Sequence, residues 1–251
     1  MKMILFGVAL SILVMTSLPI LATDELPFVT GEWPPYSSEQ IDGYGVCTEI
    51  VSAIVQEMGM IPKYNFFPWR RAELMVQQGE AFGAFPYAPN PERQENFDFS
   101  EMLLQHKMVF FYNQQAMSQP PTWTTLADLR AYRIGGVMGN NYESAFTNAG
   151  LTVHYVNSEK LNVNLLYANR VDLILTDEAV GRYLIQQLYP AERDIFGVLA
   201  KSFKTGNSHL MISRAYPFAE RLRVQFNEAF QRIKANGTYR AILTKYGITT
   251  P

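Results

Sequence analysis

Short β-favouring runs alternate with helix-period stretches along most of the chain, and this alternation is the strongest constraint on its fold. Leu26–Thr30 reads as a strand and Val46–Met58 as a helix, with Ile50, Ile54 and Met58 on one face and Gly59 to end it. A strand near Tyr64–Phe67 leads to a short helix, Trp69–Gln78, then to strands Phe82–Tyr87 and Lys107–Asn113. Gln119-Pro120-Pro121-Thr122 breaks the chain before a similar set begins. That set comprises strand Arg133–Met138, helix Tyr142–Ala149, strand Val153–Asn157, helix Ser158–Asn169, strand Val171–Thr176 and helix Asp177–Leu188. A long helix, Tyr216–Asn236, carries Pro217 in its first turn and Leu222, Phe226, Phe230 and Ile233 on one face. Two α/β units with a ligand-sized crevice between them are the architecture this order favours.

The balance of charge narrows the partners. With a formal net charge of -2 and no basic stripe, a nucleic-acid backbone is a poor match, and small molecules are favoured. Met1-Lys2-Met3, the apolar run Ile4 to Ala22 and the acidic Asp24-Glu25 form the pattern of a Sec signal cut after Ala22. The run is also long enough for a retained anchor, but Pro19 and the small Ala22-Thr23 favour cleavage. No cysteine ends the run to carry a lipid, so a freely soluble, exported and monomeric protein is expected. The single Cys47 cannot form an internal disulfide and reads as a small buried side chain. His106, His154 and His209 are too scattered for a local metal pattern, and neither a metal nor a cofactor is expected.

One stretch calls for a chemical explanation. In Tyr87-Ala88-Pro89-Asn90-Pro91-Glu92-Arg93, with Pro86 just ahead, the prolines predict a stiff, non-helical loop that holds the Arg93 guanidinium in place. Its partner is then an internal carboxylate such as Glu92, Glu95 or Glu101, or an anion arriving from outside.

Three motifs resemble a known family. Asn90-Pro91-Glu92-Arg93 with Phe97-Asp98-Phe99-Ser100, Asn236-Gly237-Thr238-Tyr239 with Lys245-Tyr246-Gly247, and Gly43-Tyr44-Gly45-Val46 are similar to segments of the family 3 extracellular solute-binding proteins, the polar amino-acid receptors of ABC importers. The resemblance implies a bilobed α/β periplasmic-binding-protein-like fold of type II, with two hinge strands near Val109–Asn113 and His209–Ser213. Residues 1–22 would be the signal peptide, 23–109 and 214–251 lobe one, and 110–213 lobe two. The implied role is a periplasmic receptor that captures a small carboxylate-bearing ligand, an amino acid or another small carboxylate, and presents it to the membrane permease.

The same likeness nominates a ligand site. Arg93 matches the arginine that grips the ligand carboxylate, Trp33 and Trp69 fall where aromatics cover the ligand, and Asp177 matches the acidic partner of the ligand ammonium. Gly139-Asn140-Asn141 forms a strand-to-helix turn suited to an anion, with Arg70 and Tyr87 as further candidates. Each has a plain structural alternative: core packing for the tryptophans, helix capping for Asn140, Asn141 and Asp177, and a solvated face for Arg70. Three departures loosen the match to a standard α-amino acid: Ala88 replaces a hydroxyl residue, Pro86 a glycine, and Cys47 an aspartate. Two rival roles share the scaffold. One is an enzyme resembling cyclohexadienyl dehydratases, with Glu178 as its general acid, and the other is a receptor feeding a separate membrane sensor.

Overall fold

The structure, a computed structural model, describes residues 25–140 and 142–248; the expected signal segment, 1–22, and Asn141 lie outside them. The first half begins with β1 (Glu25–Thr30), α1 (Val46–Glu57), β2 (Ile61–Phe66), α2 (Trp69–Gln77), β3 (Gly83–Tyr87), α3 (Pro91–Asn96), β4 (Phe97–Phe99) and β5 (Leu104–Asn113). There follow β6 (Arg133–Val137), α4 (Glu143–Ala149), β7 (Thr152–Val156), α5 (Glu159–Tyr167), β8 (Leu173–Asp177), α6 (Glu178–Leu188) and β9 (Phe196–Val198). The chain returns through β10 (Lys204–Ser213) and closes with α7 (Ala219–Ala235) and α8 (Thr238–Lys245).

The strands form one curled sheet in the order β2-β1-β3-β10-β5-β8-β6-β7, with β4 on β10 and β9 on β5. Its two ends are parallel: β1 with β2 and β3, and β6 with β7 and β8. Between them the long strands β5 and β10 run antiparallel, paired from Leu104 with Ser208 to Met108 with Lys204. The chain therefore passes between the halves twice, at one paired segment. Val109–Tyr112 then pair with β8, while Met211–Ser213 pair with β4 and join β3. The stretches expected for the hinge, Val109–Asn113 and His209–Ser213, adjoin this paired segment. The apolar run from Val109 is the part buried in the second half of the sheet, whereas the segment that spans the halves is polar and partly exposed, as in Gln105-His106-Lys107.

Two local expectations change. Residues Pro91–Asn96 form a helix, not a stiff loop, because Pro91 stands at its first turn, where the missing N–H has no intrahelical partner to lose. Asn90 caps it by accepting from the Arg93 amide at 2.8 Å. Pro217 precedes the long C-terminal helix instead of entering it, because Phe218 at the cap takes a left-handed conformation with φ 59°.

The first half packs α1 against α7, with Ile50, Ile54 and Val55 meeting Phe226, Phe230 and Ile233 over the β1 and β3 phenylalanines Phe28 and Phe85. Cys47 is buried within this cluster, and burial pushes its thiol well above the usual range. In the second half, adjacent residues of β5 serve opposite faces: Phe110 packs with Ile134 and Leu173, Phe111 with Val163 and Ile174. A strand buried on both faces is what a helix-covered α/β sheet requires.

Candidate functional site

The loop after β1 is a tight turn, in which the Trp33 amide donates to the Ser37 carbonyl at 2.7 Å and the Tyr36 amide to the Trp33 carbonyl at 2.8 Å. It is fastened to the start of α1, whose Val46 and Cys47 amides donate to the Pro35 and Tyr36 carbonyls at 3.0 and 2.9 Å. These are amides that a helix start leaves unpaired. Gly45 permits the approach: its φ is 95°, and a Cβ there would lie 2.7 Å from the Pro35 carbonyl oxygen. Trp33 and Tyr36 are thus placed by backbone contacts, whatever their side chains meet.

Trp69 opens α2 and lies over the end of β1, where Gly31 leaves room; a Cβ on Gly31 would stand 2.5 Å from the indole. The Tyr87 hydroxyl donates to the Trp69 carbonyl at 2.8 Å, and the two rings meet edge to face at 5.5 Å. Arg93 lies over the Tyr87 ring, 4.7 Å from its centroid. Its guanidinium donates to the Ala88 carbonyl at 3.2 Å and to the Glu73 carboxylate at 3.3 Å. A guanidinium has five N–H donors, so these bonds leave several directed elsewhere. Trp33, Trp69, Tyr87 and Arg93 line one open cavity of about 340 Å³, with Glu32 at its edge and Pro86 and Ala88 in its wall.

Asp177 stands apart from that cavity, with the residue only 4% exposed. It caps α6, accepting from the Ala179 and Val180 amides at 3.0 and 3.3 Å. The Tyr36 hydroxyl donates to its Oδ1 at 2.7 Å, and His106 Nδ1 lies 3.1 Å from its Oδ2. Burial, reinforced by the Asp177 charge, pushes the Tyr36 phenol far above its ordinary value. Behind Asp177, Glu159 Oε2, Asn162 and Thr176 Oγ1 are buried side-chain atoms with no well-formed hydrogen bond among the described residues. Burial pushes the Glu159 carboxyl up to about 7, with the Thr176 hydroxyl acting against the shift and the Asp177 charge adding to it.

The remaining sequence candidates fall elsewhere. The Gly139 amide donates to the Glu143 carboxylate of its own turn, and Asn140 sits half-buried beside it; neither lines the Arg93 cavity. Asn141 is outside the described residues. Arg70 is exposed, and Arg71 stacks on Phe67 at 4.3 Å. Glu178 is paired with Arg182 one helical turn on, at 2.7 Å, and lines a second cavity of about 380 Å³ shared with Tyr36, His106 and Tyr246. Sequence reasoning missed Glu73, Tyr36 and His106. Glu73 was traceable, being four residues after Trp69 and so on the same helical face. His106 had no local signal, because its carboxylate partner lies 71 positions away.

Comparison with known proteins places this geometry. A model of the "Bacterial extracellular solute-binding proteins, family 3" matches residues 28–249. No curated protein matches the sequence. An ancestral arginine-binding protein bound to arginine superposes with a TM-score of 0.64 at 20% identity, over 88% of this chain and 97% of the other. A histidine kinase sensor domain similar to periplasmic binding proteins gives 0.67 at 19%, over 91% and 99%. The ancestral amino-acid-binding protein AncCDT-1, a precursor of cyclohexadienyl dehydratase, gives 0.62 at 17%, over 88% and 94%. At such identities these likenesses establish the α/β binding-protein fold.

Proposed function

The chain belongs to the bacterial extracellular solute-binding proteins, family 3, and from that premise we propose that it captures a small carboxylate-bearing ligand against Arg93. The observation that carries this reading is the convergence of Arg93 with Trp33, Trp69 and Tyr87 on one cavity. A planar fork of donors meets a carboxylate in two parallel charge-assisted bonds, and aromatic faces cover the rest of a small ligand. Glu73 holds the fork in place while leaving donors unused. An amino acid or another small carboxylate fits this chemistry, and two of the similar structures are of amino-acid-binding proteins.

In this reading the protein acts in the periplasm after export, and the paired segment of β5 and β10 is the hinge about which the lobes close. The closed form is offered to the permease of an ABC importer. A second reading, delivery to a membrane sensor, is favoured by the likeness to the histidine kinase sensor domain. Against the enzyme reading, its named acid Glu178 is engaged by Arg182 one helical turn on, at 2.7 Å.

A thermal-shift screen of residues 23–251 against amino acids, dicarboxylates, polyamines and sugar acids tests the proposal. A ligand at roughly 1,000 times its Kd adds about 4 kcal/mol of stability, a shift of several degrees. The expected hits are carboxylates. Hits confined to polyamines would overturn the assignment of Arg93.

A further inference from the structure

We infer that Arg214 is a positioning residue for Arg93: it grips the end of the short helix α3 and, through that helix, sets where the Arg93 guanidinium points. The helix that carries Arg93 has only six residues, Pro91–Asn96, too few to be stable by themselves. Asn90 closes its first turn by accepting from the Arg93 amide at 2.8 Å. At the other end, a helix leaves carbonyls that no later turn can meet. Arg214 supplies their donors. Its Nη1 donates to the Glu95 carbonyl at 2.7 Å, its Nη2 to the Gln94 and Phe97 carbonyls at 3.1 and 3.2 Å, and its Nε to the Asp98 carboxylate at 3.0 Å. The peptide dipoles also favour a cation at this end of a helix.

The grip has a fixed base. β10 ends at Ser213, which pairs with Phe97 of β4, and the Ser213 hydroxyl accepts from the Ala215 and Tyr216 amides, both at 3.1 Å. The backbone on either side of Arg214 is thus held by the sheet and by a turn. At the far end of the linkage, Arg93 lies over the Tyr87 ring and donates to Ala88 and Glu73. Arg214 is not part of the wall of the Arg93 cavity, so its influence there passes through α3. A planar fork can meet several carbonyls at once, whereas a lysine ammonium would offer one point charge.

The consequence for ligand binding rests on the carboxylate reading above, but the positioning is read without any ligand. The Tyr87 ring, 4.7 Å from Arg93 Cζ, shifts the Arg93 side-chain protons upfield in an NMR spectrum, and the signals are assigned by their loss in Arg93→Lys. Arg214→Ala is expected to move them to the positions of a free arginine side chain, and Arg214→Lys to restore them only in part. The Arg214 side chain is half-exposed, so its removal is not expected to unfold the chain; if it does, Arg214→Lys carries the test. Arg232→Ala, which removes a bond to Glu57, is expected to leave the signals in place. Unmoved Arg93 signals in the Arg214 variants would overturn the inference, whatever their stability. Calorimetric titration with L-glutamate adds a ligand arm: Arg214→Ala should weaken binding about tenfold in the wild type and less than about twofold in Arg93→Ala. Equal losses in the two backgrounds would also overturn the inference. Binding that Arg93→Ala leaves untouched counts against the carboxylate reading and not against Arg214, because the Arg93 signals decide the positioning by themselves. They also decide it where the wild type or Arg93→Ala takes up no L-glutamate.

Discussion

Arg93 and Asp177 are the two charged residues that the sequence marks most strongly, and the structure treats them in opposite ways. Arg93 sits on the rim of a cavity with its side chain 28% exposed and part of its donor set in use; Asp177 is 5% exposed and already joined to Tyr36, His106 and two helix-start amides. A charge can serve a ligand only to the extent that its hydrogen-bonding capacity is left over from the fold. By that measure the first half of the molecule offers the more open receptor group, and the second a carboxylate that fastens the loop after β1.

The largest expected effect tests the fastening. Asp177→Ala strips the partners of Tyr36, His106 and two helix-start amides, and should lower unfolding stability by about 3 kcal/mol in urea titrations. A loss under about 1 kcal/mol would break the contrast, since that is what an exposed residue gives. Arg93→Ala should do the reverse: it should weaken binding of the ligand found by screening by about 2 to 3 kcal/mol, yet change stability by less than about 1 kcal/mol. Unchanged affinity in calorimetry would return Arg93 to a surface partner of Glu73.

A middle-sized effect comes from the acid behind Asp177. Burial holds the proton on folded Glu159 up to about pH 7, whereas a carboxyl of ordinary value 4.5 releases it earlier in the unfolded chain. The folded state therefore binds more protons between these values, and the wild type loses stability as pH rises through that window. Glu159→Gln has no such dependence. Relative to the wild type it should gain about 2 kcal/mol between pH 4 and pH 8, a figure kept below the full shift because the residue is partly exposed. Parallel pH profiles of the two chains would show that Glu159 is not buried as described. The smallest effect sharpens the receptor side: Glu73→Gln removes the competing anion beside Arg93 and should tighten carboxylate binding several-fold, about 0.5 to 1 kcal/mol. Weaker binding would mean that Glu73 is needed chiefly to aim the guanidinium.

Much of the fold was legible because its signals are local. The β-favouring runs that became β1, β3, β6 and β8 and the stripe of α1 follow from periods of two and 3.6, which neighbouring residues impose on one another. Caps at Ser158 and Asp177 were readable for the same reason. Even Pro91 was locally informative, but the loop it suggested lost to a helix once Asn90 supplied the cap. The segment spanning the halves was less legible, because apolar runs advertise burial, and the residues that pass between the halves are partly wet.

By itself, then, the sequence determined the alternation of strands and helices, the family to which the chain belongs and the aromatic residues Trp33 and Trp69 that share a cavity with Arg93. Only the tertiary structure decided which charges remain available. Glu73 neutralises part of Arg93 from 20 positions away, and Tyr36 reaches Asp177 across 141. Hydrogen bonds of that kind depend on where the sheet brings distant strand ends together, and local periodicity carries no record of such distances.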